Sequence, residues 1–427
     1  MVASTEAAAE ERFAAVEPAR AWARLRGALL AAVRAHGAIT GLLAVSLGLR
    51  IFKLAAVAGQ LIGDEAWYVQ DARVILGLPV LLKNLPASPL SGLDPNSEHP
   101  PLAKLIMAGF MRLFGNREVA WRIPSVVLGL LCIVLLYAIV LRLGGSKRQA
   151  LFAAFVLAFD NLSFIHGRIA MLDIYLVAFI LLGAWLYLSA RYELAGVAFG
   201  LATLVKMNGL LGLAAMVLFE LLLLRRDRWP RFSWEAVRPL VLTSAFCAAF
   251  FLLGLGALDC YWTEFRNPFA HIAHMLSYHT NLKRIGPPEG TESTPLQWWL
   301  DSGAFNYLSW TVTTHGAKQV TLFRAALNEY VVFAAPVALF YAAQRVWQAR
   351  SRLGAFALAM VVGNYVPMLL AWVVFSRRSY IFYMVPSVPA FACAIALLGG
   401  RLPRSVQAGF AVAVLYAFFF NFPFRYF

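Results

Sequence analysis

Two adjacent carboxylates, Asp64 and Glu65, are the side chains of this sequence best suited to chemistry. They directly follow the first apolar run that is long enough to cross a membrane. Acidic residues are otherwise scarce, with 22 Asp and Glu against 37 Lys and Arg. A carboxylate pair at the edge of a bilayer is costly unless it binds a cation or moves a proton. The pair therefore predicts a reaction site at one membrane surface.

Five further polar clusters interrupt the apolar sequence, and charged groups in such places are usually functional. A structural alternative stays open for each of them, such as a capping turn or an internal ion pair of Arg168 with Asp160 or Asp173. The candidate residues, in chain order, are Glu98, His99 and Lys104; Asp160, Asn161, Arg168 and Asp173; Lys206 and Asn208; Tyr278, His279 and Trp298; and Arg377, Arg378 and Tyr383.

Seven basic residues at or near the external ends of predicted spans together indicate an anion site: Lys104, Arg117, Arg122, Arg168, Lys206, Arg377 and Arg378. Four basic residues among them are the candidate phosphate contacts, namely Arg168, Lys206, Arg377 and Arg378. The planar fork of arginine suits phosphate because it offers several donors and keeps its charge. For each residue alone, snorkelling to lipid phosphate is the competing interpretation. Together with the carboxylates they predict a site for the headgroup of a phosphate-bearing lipid.

A divalent metal is a weaker prediction, with Glu65, Glu98 and His99 as the candidate ligands. Oxygen ligands favour Mg²⁺ or Mn²⁺, whereas the histidine favours Zn²⁺. The arginines offer another way to balance phosphate charge, so no cofactor is required by this pattern.

The composition predicts which kind of scaffold positions these residues. The chain is 61% hydrophobic with a mean hydropathy of +0.69, which is typical of an integral membrane protein. The apolar runs do not alternate as the strands of a membrane barrel would. The net charge of +15 comes from basic residues between apolar runs. It therefore indicates membrane topology and anionic lipid contacts, not nucleic-acid binding.

The apolar runs predict about eleven transmembrane helices. Basic loops then fall on one face, which places the N-terminus in the cytoplasm and the C-terminus outside. Residues 1–37 are expected to form a cytoplasmic amphipathic segment, and 38–427 a membrane domain with long external loops at 59–117 and 259–326. The predicted spans are 38–58, 118–142, 148–164, 169–190, 194–206, 208–224, 238–258, 327–346, 353–375, 380–399 and 405–422.

The ordered motifs resemble the protein O-mannosyltransferases, a family of the GT-C class of membrane glycosyltransferases. The resemblance extends over nearly the whole chain from about residue 40. It implies an all-α polytopic fold and a compact prokaryotic or archaeal form, because 259–326 is too short for the β-trefoil of the eukaryotic members. The matching motifs are Asp64-Glu65, the His-Pro-Pro-Leu-Ala-Lys segment at 99–104, Asp160-Asn161 with Arg168 and Asp173, Lys206 with Asn208, Tyr278-His279, Trp298-Trp299, and Arg378 with Tyr383.

The resemblance implies an enzyme that transfers mannose from a polyprenyl or dolichyl phosphate to Ser or Thr hydroxyls of proteins. Asp64 would be the catalytic base, and Glu65 would orient it, hold a cation or bind the acceptor. The four basic residues named above would bind the donor phosphate, and the remaining candidates would bind substrate. A transferase of the aminoarabinose lipid A type, acting on a lipid or glycan, is the main alternative. A transporter is the less favoured one, because no inverted repeat is visible.

Overall fold

The computed structural model describes residues 36–55, 60–79, 93–224, 233–262, 264–314 and 317–424. The chain divides into two compact units, Met1–Ser46 and Leu47–Phe427. The described part of the first unit consists of residues 36–46, the beginning of a helix. The amphipathic segment predicted within residues 1–37 lies almost entirely outside the described residues, and the boundary at residue 38 stays a prediction.

The N-terminal half is helical because its long apolar segments satisfy their backbone groups internally, as a bilayer requires. Short helices between the long ones carry most of the polar clusters. The helices are α1 Gly37–Ile51, α2 Glu65–Ile75, α3 Leu102–Phe114, α4 Glu118–Arg142, α5 Lys147–Ala158, α6 Asn161–His166, α7 Leu172–Leu188, α8 Tyr192–Val205 and α9 Gly209–Leu223.

The C-terminal half continues this pattern around one β-hairpin. Its elements are α10 Trp234–Trp262, α11 Pro268–Asn281, α12 Pro295–Trp298, strands β1 Phe305–Thr314 and β2 Ala317–Ala325, α13 Glu329–Ala349, α14 Arg352–Phe375, a 3₁₀ helix Ile381–Ser387, α15 Val388–Gly399 and α16 Arg404–Phe420.

The chain is a multi-pass membrane protein. In the described residues, five helical segments are long and apolar enough to cross a bilayer, namely α4, α10, α13, α14 and the continuous segment Ile381–Gly399. Five shorter apolar helices of 10–17 residues are α1, α7, α8, α9 and α16. These helices coincide with ten of the predicted spans, while the count of eleven crossings stays a prediction.

The β-hairpin corrects the expectation of an all-α fold. Strands β1 and β2 pair antiparallel in the second long loop, with Phe305 opposite Ala325 and Thr314 opposite Ala317. β-branched residues such as Thr311, Val312 and Val320 favour extended backbone. The helical period of the flanking spans concealed this short segment, and one strand brings a tyrosine to the candidate site.

The predicted span at 148–164 is interrupted, because α5 ends at Ala158 and α6 begins at Asn161. Asp160 caps α6: its Oδ1 accepts a hydrogen bond from the Ser163 amide at 2.8 Å. Its Oδ2 accepts a second bond, at 3.0 Å, from the amide of Asn328, which precedes α13. The polar cluster around Asp160 is therefore a structural junction between helices α5, α6 and α13.

The antiparallel helices α7 and α8 place one buried ion pair beside the candidate site. Asp173 lies in the first turn of α7, and Lys206 directly follows α8. Helix α8 also packs closely on α10, since a Cβ atom at Gly196 would lie 2.5 Å from the carbonyl oxygen of Thr243. This close approach of the backbones packs α8 tightly against α10.

Candidate active site

The loop before α2 presents Asp64 at the N-terminus of that helix. Gly63 has a φ of +59°, and a Cβ atom there would lie 2.6 Å from the Tyr307 ring. Both the conformation and the contact favour glycine. Asp64 is the N-cap residue, but its side chain accepts no capping hydrogen bond. Its carboxylate is therefore not engaged in holding its own helix.

Glu65 has a different environment, although it is the next residue. It is fully buried, and its Oε1 and Oε2 accept hydrogen bonds from Nε and Nη2 of Arg122 at 2.8 and 2.7 Å. The backbone amides of Ile62 and Ala170 donate to the same carboxylate at 2.9 and 2.8 Å. Four donors from three chain segments thus fix this carboxylate, which indicates a positioning role for Glu65.

Asp64 lies close to the buried ion pair of Lys206 and Asp173, whose Nζ and Oδ1 are 2.9 Å apart. Burial raises the pKa of Asp64 to about 6, and the charge of Asp173 adds to this rise. The ammonium of Lys206 acts in the opposite direction and lowers that pKa. A carboxylate with a pKa near 6 is deprotonated at neutral pH and basic enough to accept a proton.

Two cations lie close to the aromatic ring of Tyr383. The Lys206 Nζ lies 5.5 Å from the ring centroid, and the Arg377 guanidinium lies 5.8 Å from it. Trp298 is fully buried and packs edge-on against the same ring, with centroids 6.3 Å apart. Trp298 therefore supports the Tyr383 ring. Its indole N–H already donates a hydrogen bond to the Ser293 hydroxyl.

Two histidines connect Arg377 to the loop at residue 99. Arg377 Nη2 donates to His279 Nδ1 at 3.0 Å, and the rings of His279 and His99 are 5.3 Å apart. Burial lowers the pKa of both histidines, to about 4 for His279 and well below the usual value for His99. Both rings are thus neutral at pH 7.

Two buried nitrogen atoms of this cluster, His99 Nδ1 and Arg377 Nε, have no hydrogen-bond partner among the described residues. Such atoms normally find one, because an unpaired buried polar group is costly. Arg377 lies beside the Tyr383 ring, and His99 lies beside His279. A polar ligand in this place would satisfy them.

Tyr307 and Tyr68 also belong to the cluster, and the sequence analysis missed both. The Tyr307 hydroxyl shares a hydrogen bond of 2.8 Å with Nε2 of His166. Tyr68 lies one helical turn after Asp64, and its ring is 6.3 Å from that of His99. The four-residue spacing from Asp64 could have indicated Tyr68. Tyr307 could not be found, because only the hairpin brings it near Gly63.

Arg168, a predicted phosphate ligand, is placed elsewhere. Its Nη2 donates to the carbonyl of Phe52 at 2.8 Å, and its Nη1 to that of Leu49 at 3.4 Å. Three phenylalanine rings surround the guanidinium, the nearest being Phe424 at 5.0 Å. This arrangement satisfies the last carbonyl groups of α1, so the contacts of Arg168 are structural.

Lys104 likewise serves its own loop. Its buried ammonium pairs with Asp94 and donates to the carbonyl groups of Asn96 and His99. The lysine thus fixes the segment that carries Glu98 and His99. Glu98 is half-buried beside that histidine.

The remaining candidates are spread around the cluster or lie away from it. Asn161 donates to the carbonyl of Phe418 at 3.0 Å and belongs to the junction formed by Asp160. Arg378 is 40% exposed and pairs with Glu292 at 3.2 Å. Asn208 precedes α9 without capping it through its side chain, and Tyr278 is exposed beside His279.

The three candidate metal ligands do not form one donor set in the described part of the chain. No group of three or more His, Cys, Asp or Glu side chains suited to a metal ion occurs there. The Glu65 carboxylate already accepts four hydrogen bonds. A divalent cation therefore stays an untested prediction that rests on Glu98 and His99.

Sequence comparison identifies the relatives of this chain. The family model described as dolichyl-phosphate-mannose-protein mannosyltransferase matches residues 98–256. A polyprenol-phosphate-mannose–protein mannosyltransferase of Corynebacterium glutamicum is 34% identical over 133 residues. One of Mycobacterium tuberculosis is 32% identical over 157 residues. The resemblance to the protein O-mannosyltransferase family is confirmed.

The alignments cover 31% and 37% of this chain, and 25% and 28% of these two relatives. The segment that the family model matches includes His99, Asp173 and Lys206. Asp64 and Arg377 lie outside it. The activity of the protein O-mannosyltransferases therefore comes to this chain as a proposal.

Solved structures show the same fold. The Pmt1-Pmt2 protein O-mannosyltransferase complex of S. cerevisiae, bound to the sugar donor, gives a TM-score of 0.66 at 12% identity, covering 90% of this chain and 89% of that one. ArnT of Cupriavidus metallidurans, bound to undecaprenyl phosphate, gives 0.58 at 18% identity, covering 90% and 63%. The fold is that of the GT-C membrane glycosyltransferases.

Proposed function

We propose that this protein transfers mannose from a polyprenyl phosphate to Ser or Thr hydroxyls of a polypeptide, with inversion at the sugar carbon. The placement of Asp64 carries the proposal. This half-buried carboxylate has a raised pKa, makes no capping bond, and lies beside cations in a GT-C fold. The family resemblance between residues 98 and 256 supports mannose as the sugar.

In the proposed reaction the acceptor oxygen attacks C1 of the sugar as its proton passes to the Asp64 carboxylate. The bond between C1 and the phosphate oxygen breaks, and polyprenyl phosphate leaves with the electron pair. A hydroxyl group is a poor nucleophile without a base, whereas the phosphate needs no proton to depart. A single suitably placed carboxylate is therefore sufficient.

Arg377 and Lys206 are the proposed contacts for the donor phosphate. Both lie against Tyr383, and the Nε of Arg377 has no partner among the residues that the structure describes. Charge that develops on the departing phosphate would be stabilised by these preorganised cations. Arg378 is exposed and paired with Glu292, which makes it a peripheral contact at most.

The identity of the reaction can be tested directly. Purified protein is incubated with polyprenyl-phosphate-mannose and a Ser/Thr-rich peptide, and mass spectrometry detects a hexose on the peptide. A parallel reaction offers lipid A in place of the peptide, since a transferase that acts on a lipid acceptor is the second candidate. Transfer of the sugar to lipid A alone would show that the acceptor is a lipid and not a polypeptide. Uptake of a solute without sugar transfer would indicate a transporter.

The cluster is proposed to face the outside of the cell, as the distribution of basic loops predicts. Cys260, at the end of α10, is exposed, whereas the other cysteines are buried. A membrane-impermeant maleimide added to intact cells should label Cys260. Labelling only after the cells are opened would reverse the proposed orientation.

Substitution of either member of the buried ion pair should shift the pH–rate profile, and the two substitutions should shift it in opposite directions. Lys206 lowers the pKa of Asp64 and Asp173 raises it. Lys206→Met should therefore move the acidic limb of the pH–rate profile to higher pH, because a base with a higher pKa loses activity earlier as pH falls. Asp173→Asn should move it to lower pH. Steady-state rates between pH 5 and 8 measure both, and shifts in the same direction would contradict the assignment.

Two arginines are expected to differ in donor affinity. Arg377→Gln should weaken binding of polyprenyl-phosphate-mannose by about tenfold or more, because a charge-assisted contact to phosphate is lost. Arg168→Gln is the matched control, since its donors already bind backbone carbonyls. It should lower the thermal unfolding temperature with little change in donor affinity. Equal effects on affinity would overturn the distinction, which equilibrium binding of labelled donor can measure.

A further inference from the structure

A cavity of about 350 Å³ lies where several helices end, away from the Asp64 cluster. Its polar wall includes Arg148 in the first turn of α5, Arg345 near the end of α13, and Arg401 just after α15. Arg148 and Arg401 are exposed and Arg345 is half-buried, so an aqueous or headgroup ligand can reach them. Three arginines thus line one opening.

The wall offers hydrogen-bond donors and no carboxylate among its lining residues. Gln149 adds to this character, because its Oε1 already accepts bonds from the amide and hydroxyl of Ser146, at 3.0 and 3.1 Å. The amide NH₂ of Gln149 is the part of this side chain that can donate to a ligand. A Cβ atom at Gly400 would lie 2.5 Å from that nitrogen, so the glycine leaves room for it. Three positive side chains and no carboxylate among the lining residues favour an anion.

The cavity lies at the opposite end of the apolar segment Ile381–Gly399 from the candidate active site. Tyr383 belongs to the 3₁₀ helix Ile381–Ser387, which continues into α15, and Gly399 at the far end of α15 lines the cavity. With rises of about 2.0 Å per residue in the 3₁₀ segment and about 1.5 Å in the helix, the two sites are about 26 Å apart along this axis. That approaches the thickness of a bilayer core, about 30 Å.

We propose that this cavity binds a phosphate monoester or diester, at a site separate from the proposed donor site. Arginine recognises phosphate through paired, charge-assisted hydrogen bonds, and three arginines with one amide match its several oxygen atoms. The phosphate can belong to an anionic lipid headgroup or to a free phosphate compound. The location at a membrane surface favours the lipid source.

Binding of dioctanoyl phosphatidate to the delipidated full-length protein in neutral detergent tests the proposal by titration calorimetry. The cavity variant is Arg148→Gln/Arg345→Gln/Arg401→Gln. The charge-matched control is Arg191→Gln/Arg352→Gln/Arg404→Gln, three exposed arginines that do not line the cavity. Both variants are also made in an Arg377→Gln background, which removes the proposed donor-phosphate contact. Dioctanoyl phosphatidylcholine serves as the neutral lipid.

We expect the cavity variant to lose affinity for phosphatidate by about tenfold or more, and the control variant to change by less than about twofold. Phosphatidylcholine should not bind comparably. Competition by millimolar inorganic phosphate would show that the phosphate group suffices, whereas its failure would assign the site to the lipid headgroup. Equal affinities of the cavity and control variants would overturn the proposal. If the triple variant does not fold, Arg401→Gln alone should weaken binding severalfold, and an unchanged affinity would be equally decisive.

Discussion

Asp64→Asn is expected to lower the turnover of mannosyl transfer by about 10²- to 10⁴-fold, the usual contribution of a general base. The amide keeps the size of the side chain but cannot accept the hydroxyl proton. Donor affinity should persist, because the proposed phosphate contacts are Lys206 and Arg377. Single-turnover rates with labelled donor separate the chemical step from binding.

The pH profile gives this prediction a second readout. Burial raises the pKa of Asp64 to about 6, and the base works only when deprotonated. The rate of the parent protein should therefore fall as pH decreases through about 6. The residual rate of Asp64→Asn should lack this acidic limb. Glu193→Gln, which changes an exposed carboxylate in the first turn of α8, is the control and should match the parent. A normal rate for the Asp64 variant would refute the assignment of the base.

Glu65→Gln is expected to lower the free energy of unfolding by about 3–5 kcal/mol, because it leaves the buried guanidinium of Arg122 without its counter-charge. The Glu65 side chain is fully buried and accepts four hydrogen bonds, which join α2, α4 and the segment before α7. Activity should also fall strongly, because Asp64 lies on the loop that these bonds hold. Thermal unfolding in detergent and the transfer assay measure the two effects.

A double variant separates the loss of charge balance from the loss of position. Glu65→Leu/Arg122→Met removes both charges and should recover part of the stability, since a buried ion pair can often be replaced by apolar residues. Activity should not return, because the bonds that orient the loop are still missing. Glu220→Gln, which alters one half-buried contact with Tyr187, should cost only about 1 kcal/mol. A double variant as unstable as the single one would contradict this explanation.

Asp64 and Glu65 show how far the sequence reaches into the site. Adjacent acids after an apolar run indicated a reaction site, and the family resemblance named Asp64 as its base. Their different roles could be separated only in part, because neighbouring residues on a helix point about 100° apart. The fold turns Asp64 toward Lys206 and buries Glu65 against Arg122.

The basic residues show a second limit. Arg168 and Arg377 both interrupt apolar sequence, and nothing in their local pattern distinguishes them. Arg168 meets the carbonyl groups that end α1, whereas Arg377 meets His279 and Tyr383. The carbonyl groups that Arg168 contacts and the histidine that Arg377 contacts lie about a hundred residues away in the chain. Only the packing of the helices therefore assigns Arg168 to structure and Arg377 to the candidate site.

Composition and hydropathy predicted the membrane class, the approximate positions of the apolar helices and the segment that carries Asp64. These properties follow from hydrophobic runs and from the cost of charge in a bilayer, which are local and additive. Which polar groups contact one another depends instead on how the helices and the hairpin pack. The hairpin that brings Tyr307 to Gly63, the pairing of Lys206 with Asp173, and the capping role of Asp160 depend on contacts between distant segments. Such contacts arise from the packing of whole elements, and no local pattern encodes them.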